Sequence, residues 1–218
     1  MAAWGTNVGP WTSCLEKSNL IKITKGHHGM AKLSYVSIMS LDGFIGDGHY
    51  NWSLPSAGST AFITGVIKNF GVYLYGRKNY ETMGVWDDPS FVEKMGDDDK
   101  EFARVWRAAE KVVFSKSLNA VTSAKTRIEK DFDINKIRKK KKKSPADMCI
   151  GGPTLAKQAF KAGLIDEIHL FVVPDTIGND FPVISVLPKD FAIRFELIET
   201  RSFSKNWIYL HYRVRAFH

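Results

Sequence analysis

Cysteine is scarce in this 218-residue chain: there are two, Cys14 and Cys149. Cys149 falls in an apolar stretch that reads as a buried strand, which argues against a disulfide framework and for a reducing, cytoplasmic setting. Long hydrophobic runs are also missing. None approaches the ~20 apolar residues of a membrane-spanning helix, and the first residues lack the charged-then-apolar pattern of a secretory leader. A membrane is therefore not expected as a partner. Negative charge is in deficit: 23 Asp and Glu face 31 Lys and Arg, for a net charge of +8. Much of the excess lies in one run, Arg138–Lys143. No aromatic residues are interleaved with it, as a single-strand nucleic-acid surface would want, so the run reads as a solvated, mobile face. Weak, salt-sensitive and sequence-blind binding is the most expected of it, and nucleic acid is not expected as a partner.

What is present is ordinary globular protein, 44% hydrophobic and 25% charged, long enough for one domain with a sizeable core. Residues 1–30 sustain neither a helical nor a strand period and read as an added or poorly ordered extension. The domain is expected over 31–218. Lys32–Ser40 is β-rich and runs into the glycine-punctuated Leu41–Gly48. Ser56–Asn69 carries a helical apolar stripe. Val72–Tyr75 is a short buried strand, Asp87–Lys100 a mostly surface loop, and Glu101–Glu110 a helix. Lys111–Phe114 is a third strand and Thr126–Glu129 a further short one. Asp133–Lys143 is a basic helix capped by Asp133. Ile168–Val173 is another strand; its His169 reads as a strand residue rather than a ligand. Phe191–Phe203 and Trp207–Arg215 form a hairpin, the second half alternating strictly between Ile208, Leu210, Tyr212, Val214 and Tyr209, His211, Arg213, Arg215.

Three of the strands end in residues suited to an anion. Met148–Gly152 is an apolar strand closed by two glycines, and a helix follows at once, with Pro153 at its first position and Gly163 at its stop. Bare backbone at a helix N-terminus can receive a phosphate, although two glycines are equally an ordinary strand-to-helix turn. Gly76-Arg77 adds fixed positive charge after Val72–Tyr75, and Ser115-Lys116-Ser117 follows Val112–Phe114. In an α/β sheet, ligands collect beyond the carboxyl ends of strands. Three such ends on one edge suit a dinucleotide, and Arg77 with Lys116 would favour a 2′-phosphate, hence NADPH over NADH.

The motifs Ser40-Leu41-Asp42-Gly43-Phe44-Ile45-Gly46, Tyr75-Gly76-Arg77-Lys78-Asn79-Tyr80-Glu81-Thr82-Met83, Val112–Leu118 and Ile150-Gly151-Gly152-Pro153-Thr154-Leu155 occur in this order. Over about Lys32–Arg215 the chain resembles the dihydrofolate reductase-like superfamily, and within it the stand-alone branch similar to the reductase domain of riboflavin biosynthesis. The resemblance implies an α/β fold of three layers. A mixed, mainly parallel sheet would carry helices on both faces and end in an antiparallel hairpin. It implies NADPH as cofactor and a homodimer, the latter in keeping with Trp207, Tyr209 and Tyr212 on the terminal hairpin. Gly76, Arg77, Lys78, Phe114, Ser115 and Lys116 would hold the adenosine phosphates. Ile150, Gly151, Gly152, Pro153, Thr154 and Leu155 would face the pyrophosphate and nicotinamide. Ile38 would hold the carboxamide by its backbone, and Ile45 and Gly46 would line the mobile loop.

Two departures bear on the substrate. Dihydrofolate reductases carry a carboxylate on the first helix to grip the pterin, and Ser56–Thr64 has none. Water or a hydroxyl of Ser59, Thr60 or Thr64 is then left to relay a proton. Riboflavin-pathway reductases usually place Lys or Arg after Ser-Leu-Asp-Gly, where this chain has Phe44. The zinc deaminase pattern is absent, with no His-x-Glu and no paired Cys, and no metal site is expected. The expected activity is NADPH-dependent hydride transfer to a small pterin- or pyrimidine-like heterocycle. The alternative is a nucleotide-binding or regulatory protein on the same fold that has lost its chemistry.

Overall fold

Short runs that offer no polar side to water become the interior of a sheet. The computed structural model describes residues 29–46, 57–178 and 183–215; the expected extension falls outside them except for Gly29 and Met30. In chain order the elements are β1 (Leu33–Met39), β2 (Phe44–Gly46), α1 (Ala57–Ile67), β3 (Phe70–Gly76), α2 (Arg77–Met83), α3 (Pro89–Val92) and α4 (Asp97–Ala108). They continue with β4 (Glu110–Phe114), β5 (Thr126–Glu129), α5 (Ile134–Lys143), β6 (Asp147–Gly151), α6 (Pro153–Lys161), β7 (Glu167–Val172), β8 (Val183–Ser185), β9 (Arg194–Ser202) and β10 (Ile208–Arg215). Eight strands form one sheet in the order β5–β4–β3–β6–β1–β7–β10–β9, and β2 pairs with β8 in a separate antiparallel ribbon. The six strands from β5 to β7 run parallel. β10 turns antiparallel against β7, with β9 beyond it. The fold is therefore the mixed, mainly parallel α/β sheet with a terminal hairpin that the resemblance implied.

The central strands are buried on both faces, as a parallel sheet under helices requires. One face packs Leu33, Tyr35, Val72, Leu74, Met148 and Ile150 against Leu155, Ala159 and Phe160 of α6 and Ile137 of α5. On the other, Tyr73, Tyr75, Val113 and Cys149 meet Phe102, Val105 and Trp106 of α4. Phe171 and Tyr209 extend that face beneath Phe62 of α1. Cys149 is buried among these groups.

Three expectations are corrected. Asp87–Lys100 is not mostly loop: a 3-10 turn at Gly84–Asp87 leads to α3, capped by the Asp88 side chain, and α4 begins at Asp97 rather than Glu101. Asp97, Asp98 and Asp99 fill its first turn, where carboxylates meet the positive end of the helix dipole. The lysine run is not uniformly solvated. Lys141 is 3% exposed and donates to the Leu164 carbonyl at 2.8 Å and to Asp166 at 2.6 Å, while Lys140 reaches Glu110. Trp207 and Tyr209, read as surplus aromatics for a partner, are buried in the chain's own core. The terminal hairpin instead exposes Leu197, Ile198 and Ile208. His169 lies in β7 as expected, and its ring stands beside Glu167 and His211.

Candidate functional site

Parallel register brings the three anion-suited strand ends to one edge. Gly76 of β3 pairs with Phe114 of β4, and Tyr75 with Gly151 of β6. Each strand ends there because its next residues cannot extend it. Arg77 starts α2 directly after Gly76, Ser115 folds its hydroxyl back, and Gly152 turns with φ +88° into α6.

Gly151 and Gly152 form the middle of this edge. A Cβ on Gly151 would come within 2.7 Å of the Asn79 amide and 3.0 Å of the Tyr75 ring. Gly152 has room for a methyl, 3.4 Å from the Asn79 Cβ, but its positive φ strains any residue with a side chain. The result is bare backbone at the N-terminus of the nine-residue α6, with Pro153 in its first turn and no side-chain cap on its first N–H groups. Those free donors and the dipole suit the phosphates of a dinucleotide. Thr154 opens to solvent there, while Ile150 and Leu155 are buried beneath it.

The part of this edge formed by the ends of β3 and β4 is polar. Arg77 donates from Nε to Glu81 at 2.6 Å and from Nη1 to the Ser117 hydroxyl at 3.0 Å, joining the ends of β3 and β4. Its side chain is half exposed, and two of its five N–H donors are occupied by these bonds. Ser115 is buried; its hydroxyl accepts from the backbone N–H of Ser117 and Leu118, so it shapes the turn. Lys116 is largely exposed, 3.3 Å from Asp131. Lys78 is exposed on the first turn of α2.

Ile38 sits near the end of β1, opposite Phe171 of β7. Ile45 packs against the main core, and Gly46 pairs with Val183. Sequence reasoning missed what holds this turn: Asp42, exposed itself, accepts from the backbone N–H of Gly178 at 2.9 Å and of Ile177 at 3.4 Å, and Leu41 donates to the Asp175 carbonyl. Its carboxyl is held below the usual range, chiefly by the Ser40 hydroxyl, which with these amides outweighs the opposing effect of desolvation. No local signal announces these bonds, because their partners lie about 135 positions further along the chain.

The three hydroxyls of α1 are not gathered with these groups. Ser59 and Thr64 are buried. The Thr64 hydroxyl donates to the Thr60 carbonyl at 2.9 Å, and Thr64 lines a shallow crevice with Lys68, Asp98 and Glu101 against α4. The sheet-facing side of α1 offers Phe62, half-buried and tilted against Phe203 at 5.1 Å, with the Arg201 guanidinium 4.8 Å over its ring.

Comparison with known proteins agrees with this architecture. The model of the RibD C-terminal domain matches residues 31–209. YyaP of Bacillus subtilis (strain 168), described as uncharacterized, is 27% identical over 183 residues, spanning 80% of this chain and 90% of that protein. A putative riboflavin biosynthesis protein from Shewanella sp. PV-4 superposes with a TM-score of 0.64 at 19% identity, over 86% of this chain and all of that one. RibD of Acinetobacter baumannii gives 0.63 at 18% identity over 87% of this chain, which spans only 59% of that protein. Dihydrofolate reductase from Enterococcus faecalis, complexed with NADP(H), gives 0.56 at 17% identity over 85% of this chain and 97% of that one. Among the described residues, no helix is long and apolar enough to cross a membrane. The family model covers the glycine edge and every strand of the main sheet except β10, of which it reaches the first two residues, and the chain belongs to the RibD C-terminal domain family.

Proposed function

We propose that this protein is an NADPH-dependent reductase that passes hydride to a small, flat heterocycle of the pterin or pyrimidine kind. The observation that carries the reading is the glycine edge. Side chains are excluded at Gly151 by Asn79 and Tyr75 and at Gly152 by its φ, so backbone N–H groups stay open where three parallel strands end. The family, and neighbours that include a reductase complexed with NADP(H), support an oxidoreductase in general.

When bound, NADPH would supply the hydride. The residues suited to hold it are Gly151, Gly152, Pro153 and Thr154 at the pyrophosphate, with Gly76, Arg77, Lys78, Ser115 and Lys116 at the adenosine phosphates. Ile38 suits the carboxamide, while Ile45 and Gly46 line the adjoining ribbon. Arg77 keeps three N–H donors for a 2′-phosphate, and Glu81 competes for it. The half-buried rings of Phe62 and Phe203 support a flat acceptor on the α1 side. With no carboxylate on α1, proton delivery falls to water or to a hydroxyl of Ser59, Thr60 or Thr64. We further propose a homodimer formed through the exposed edge of β9, where Leu197 and Ile198 reach solvent. A light-scattering mass of one chain at micromolar concentration would count against that pairing.

Calorimetric titration of NADPH and NADH against wild type and Arg77→Ala tests the cofactor reading. A charge-assisted hydrogen bond contributes roughly 1.5–3 kcal/mol, or one to two decades of affinity. NADPH should therefore bind more tightly than NADH, and Arg77→Ala should weaken NADPH by about that much while sparing NADH. Equal affinities in the wild type would refute the phosphate roles. Binding of neither would sink the reductase reading, and binding without turnover of pterins, pyrimidines or quinones would favour a silent nucleotide-binding protein.

A further inference from the structure

Far from the glycine edge, the opposite end of the sheet holds a group of polar side chains that the proposed reaction does not use. Glu167 and His169 stand two residues apart on β7, so both project from the same face. His211 of the antiparallel β10 lies directly across from His169. Two residues spaced i, i+2 on one strand and one cross-strand neighbour make a triangle, a shape able to close around one ion. Here the candidate ligand atoms all lie within 4.8 Å of one another, and the three side chains are buried or nearly so. Glu167 begins β7 while the cofactor edge lies at its other end, beyond Val172, about 17 Å away at ~3.3 Å per residue.

Hydrogen bonding orients one candidate ligand and engages the other two. His169 Nδ1 is 2.7 Å from the Tyr209 hydroxyl. With Nδ1–H donating to that oxygen, Nε2 keeps its lone pair, which is how an outer partner orients a metal-ligating imidazole. His211 Nε2 is 3.2 Å from one oxygen of Glu167, and Lys32 Nζ is 2.8 Å from the other.

We propose that Glu167, His169 and His211 form a binding site for a divalent transition-metal ion of the zinc class. Two imidazole nitrogens and one carboxylate oxygen suit such an ion, with a fourth position open to water. The site is a pin between β7 and β10 rather than part of hydride transfer. Loading asks two things of the chain. His211, now stacked on His169 with ring centroids 4.1 Å apart, turns out of the stack and exchanges its hydrogen bond to Glu167 for the ion. Lys32 gives up its hold on the carboxylate; its side chain is 41% exposed and is free to swing into solvent. The ammonium is thus a built-in competitor, and its removal should tighten binding.

The test is a titration of the chelator-treated full-length protein with Co²⁺, followed by visible d–d absorption, then displacement by Zn²⁺. A single equivalent should give the intense band of a four- or five-coordinate ion, and Zn²⁺ should erase it and raise the melting temperature. His211→Ala should abolish the band. Lys32→Met, which keeps all three ligands, should lower the dissociation constant several-fold. His27 and His28 are a second possible ligand pair, so a variant with both changed to Ala should bind as wild type does. The proposal is overturned by absence of a one-equivalent band, by a band that survives His211→Ala, by its loss with His27 and His28, or by a Lys32→Met affinity equal to wild type. NADPH affinity is read in parallel and should not change with Co²⁺.

Discussion

Adding one methyl group at Gly151 should harm this protein through a contact that can be named and then relieved. The Cβ of Gly151→Ala would lie 2.7 Å from Asn79 Nδ2 and 3.0 and 3.1 Å from two carbons of the Tyr75 ring. Tyr75 has no retreat. It is buried, its hydroxyl accepts from Trp106 Nε1 at 3.1 Å, and the ring of Tyr73 stacks beside it with centroids 5.8 Å apart. Asn79 is half-buried on α2 and must move first. Overpacking of this kind costs about 1–3 kcal/mol, which for a chain of this size lowers Tm by roughly 2–12 °C. Truncating the obstacle should recover part of the loss: Asn79→Ala removes the nearest contact but leaves the tyrosine ring. Urea denaturation of the four proteins of the cycle should yield a favourable coupling of about 0.5–2 kcal/mol between the two positions. Gly152→Ala is the control. Its methyl would touch Asn79 only at 3.4 Å, so its cost of about 1–2 kcal/mol comes from φ +88° and should not respond to Asn79→Ala. A Gly151→Ala protein as stable as wild type, or a coupling of zero, would refute the close packing of this edge.

Other residues give sharp expectations. Lys141→Ser should destabilise by about 1–3 kcal/mol, because the Leu164 carbonyl and Asp166 lose a buried donor, whereas Lys139→Ser should be neutral within about 0.5 kcal/mol; urea midpoints compare them. Lys111, fully buried, donates to the carbonyls of Trp106 and Ala109 at the end of α4, and Lys111→Met should cost about 1–3 kcal/mol despite its apolar fit, since those acceptors are left without it. Asp42→Ala should leave Tm near wild type but speed hydrogen exchange at Ile177 and Gly178. Because the Asp42 pKa is lowered on folding, its clamp is at full strength above the ordinary Asp value of about 3.9 and is lost as pH falls through the lower folded value. Exchange at those two amides in the wild type should therefore rise selectively in acid.

The parts of the molecule that could be read from the sequence are those built from neighbouring residues. The apolar runs of β3, β4, β6 and β7 needed nothing distant to be recognised, and the alternation in β10 announced a strand. Asp133 caps α5 as its position suggests, accepting from the N–H of Asn135 and Lys136. The glycine edge is of the same kind, because its chemistry is backbone chemistry and the glycines that free it sit next to each other. Where sequence reasoning fell short, the deciding contact was usually remote. Lys141 differs from its four lysine neighbours through Leu164 and Asp166, more than 20 residues on, although it follows Ile137 by one helical turn and shares its buried face. The start of α4 was the exception: Gly96 followed by three Asp is a local signal that charge alone disguised as loop. β8 has three residues and exists as a strand because β2 lies beside it.

The same contrast separates the two sides of the candidate site. The proposed nucleotide side is set by strand ends and a helix start, which recur as compact motifs in order along the chain. The proposed acceptor side draws on α1, β7, β10 and Phe203 between β9 and β10, and α1 stands more than 100 positions from the rest: Phe62, Phe171, Phe203 and Tyr209 share one cluster. On a sheet of this topology β1 sits between β6 and β7, so Ile38 marks the line where the two sides meet. A change at Gly151 or Gly152 therefore acts on every nucleotide offered, whereas a change at Phe62 acts on the choice of acceptor. Phe62→Ala should leave the dissociation constant for NADPH within about twofold of wild type, a difference of roughly 0.4 kcal/mol, while altering KM or turnover with any acceptor the enzyme reduces. An equal loss of cofactor affinity in Phe62→Ala and Gly151→Ala would mean that the two sides are one packing unit, and that division of labour would fail.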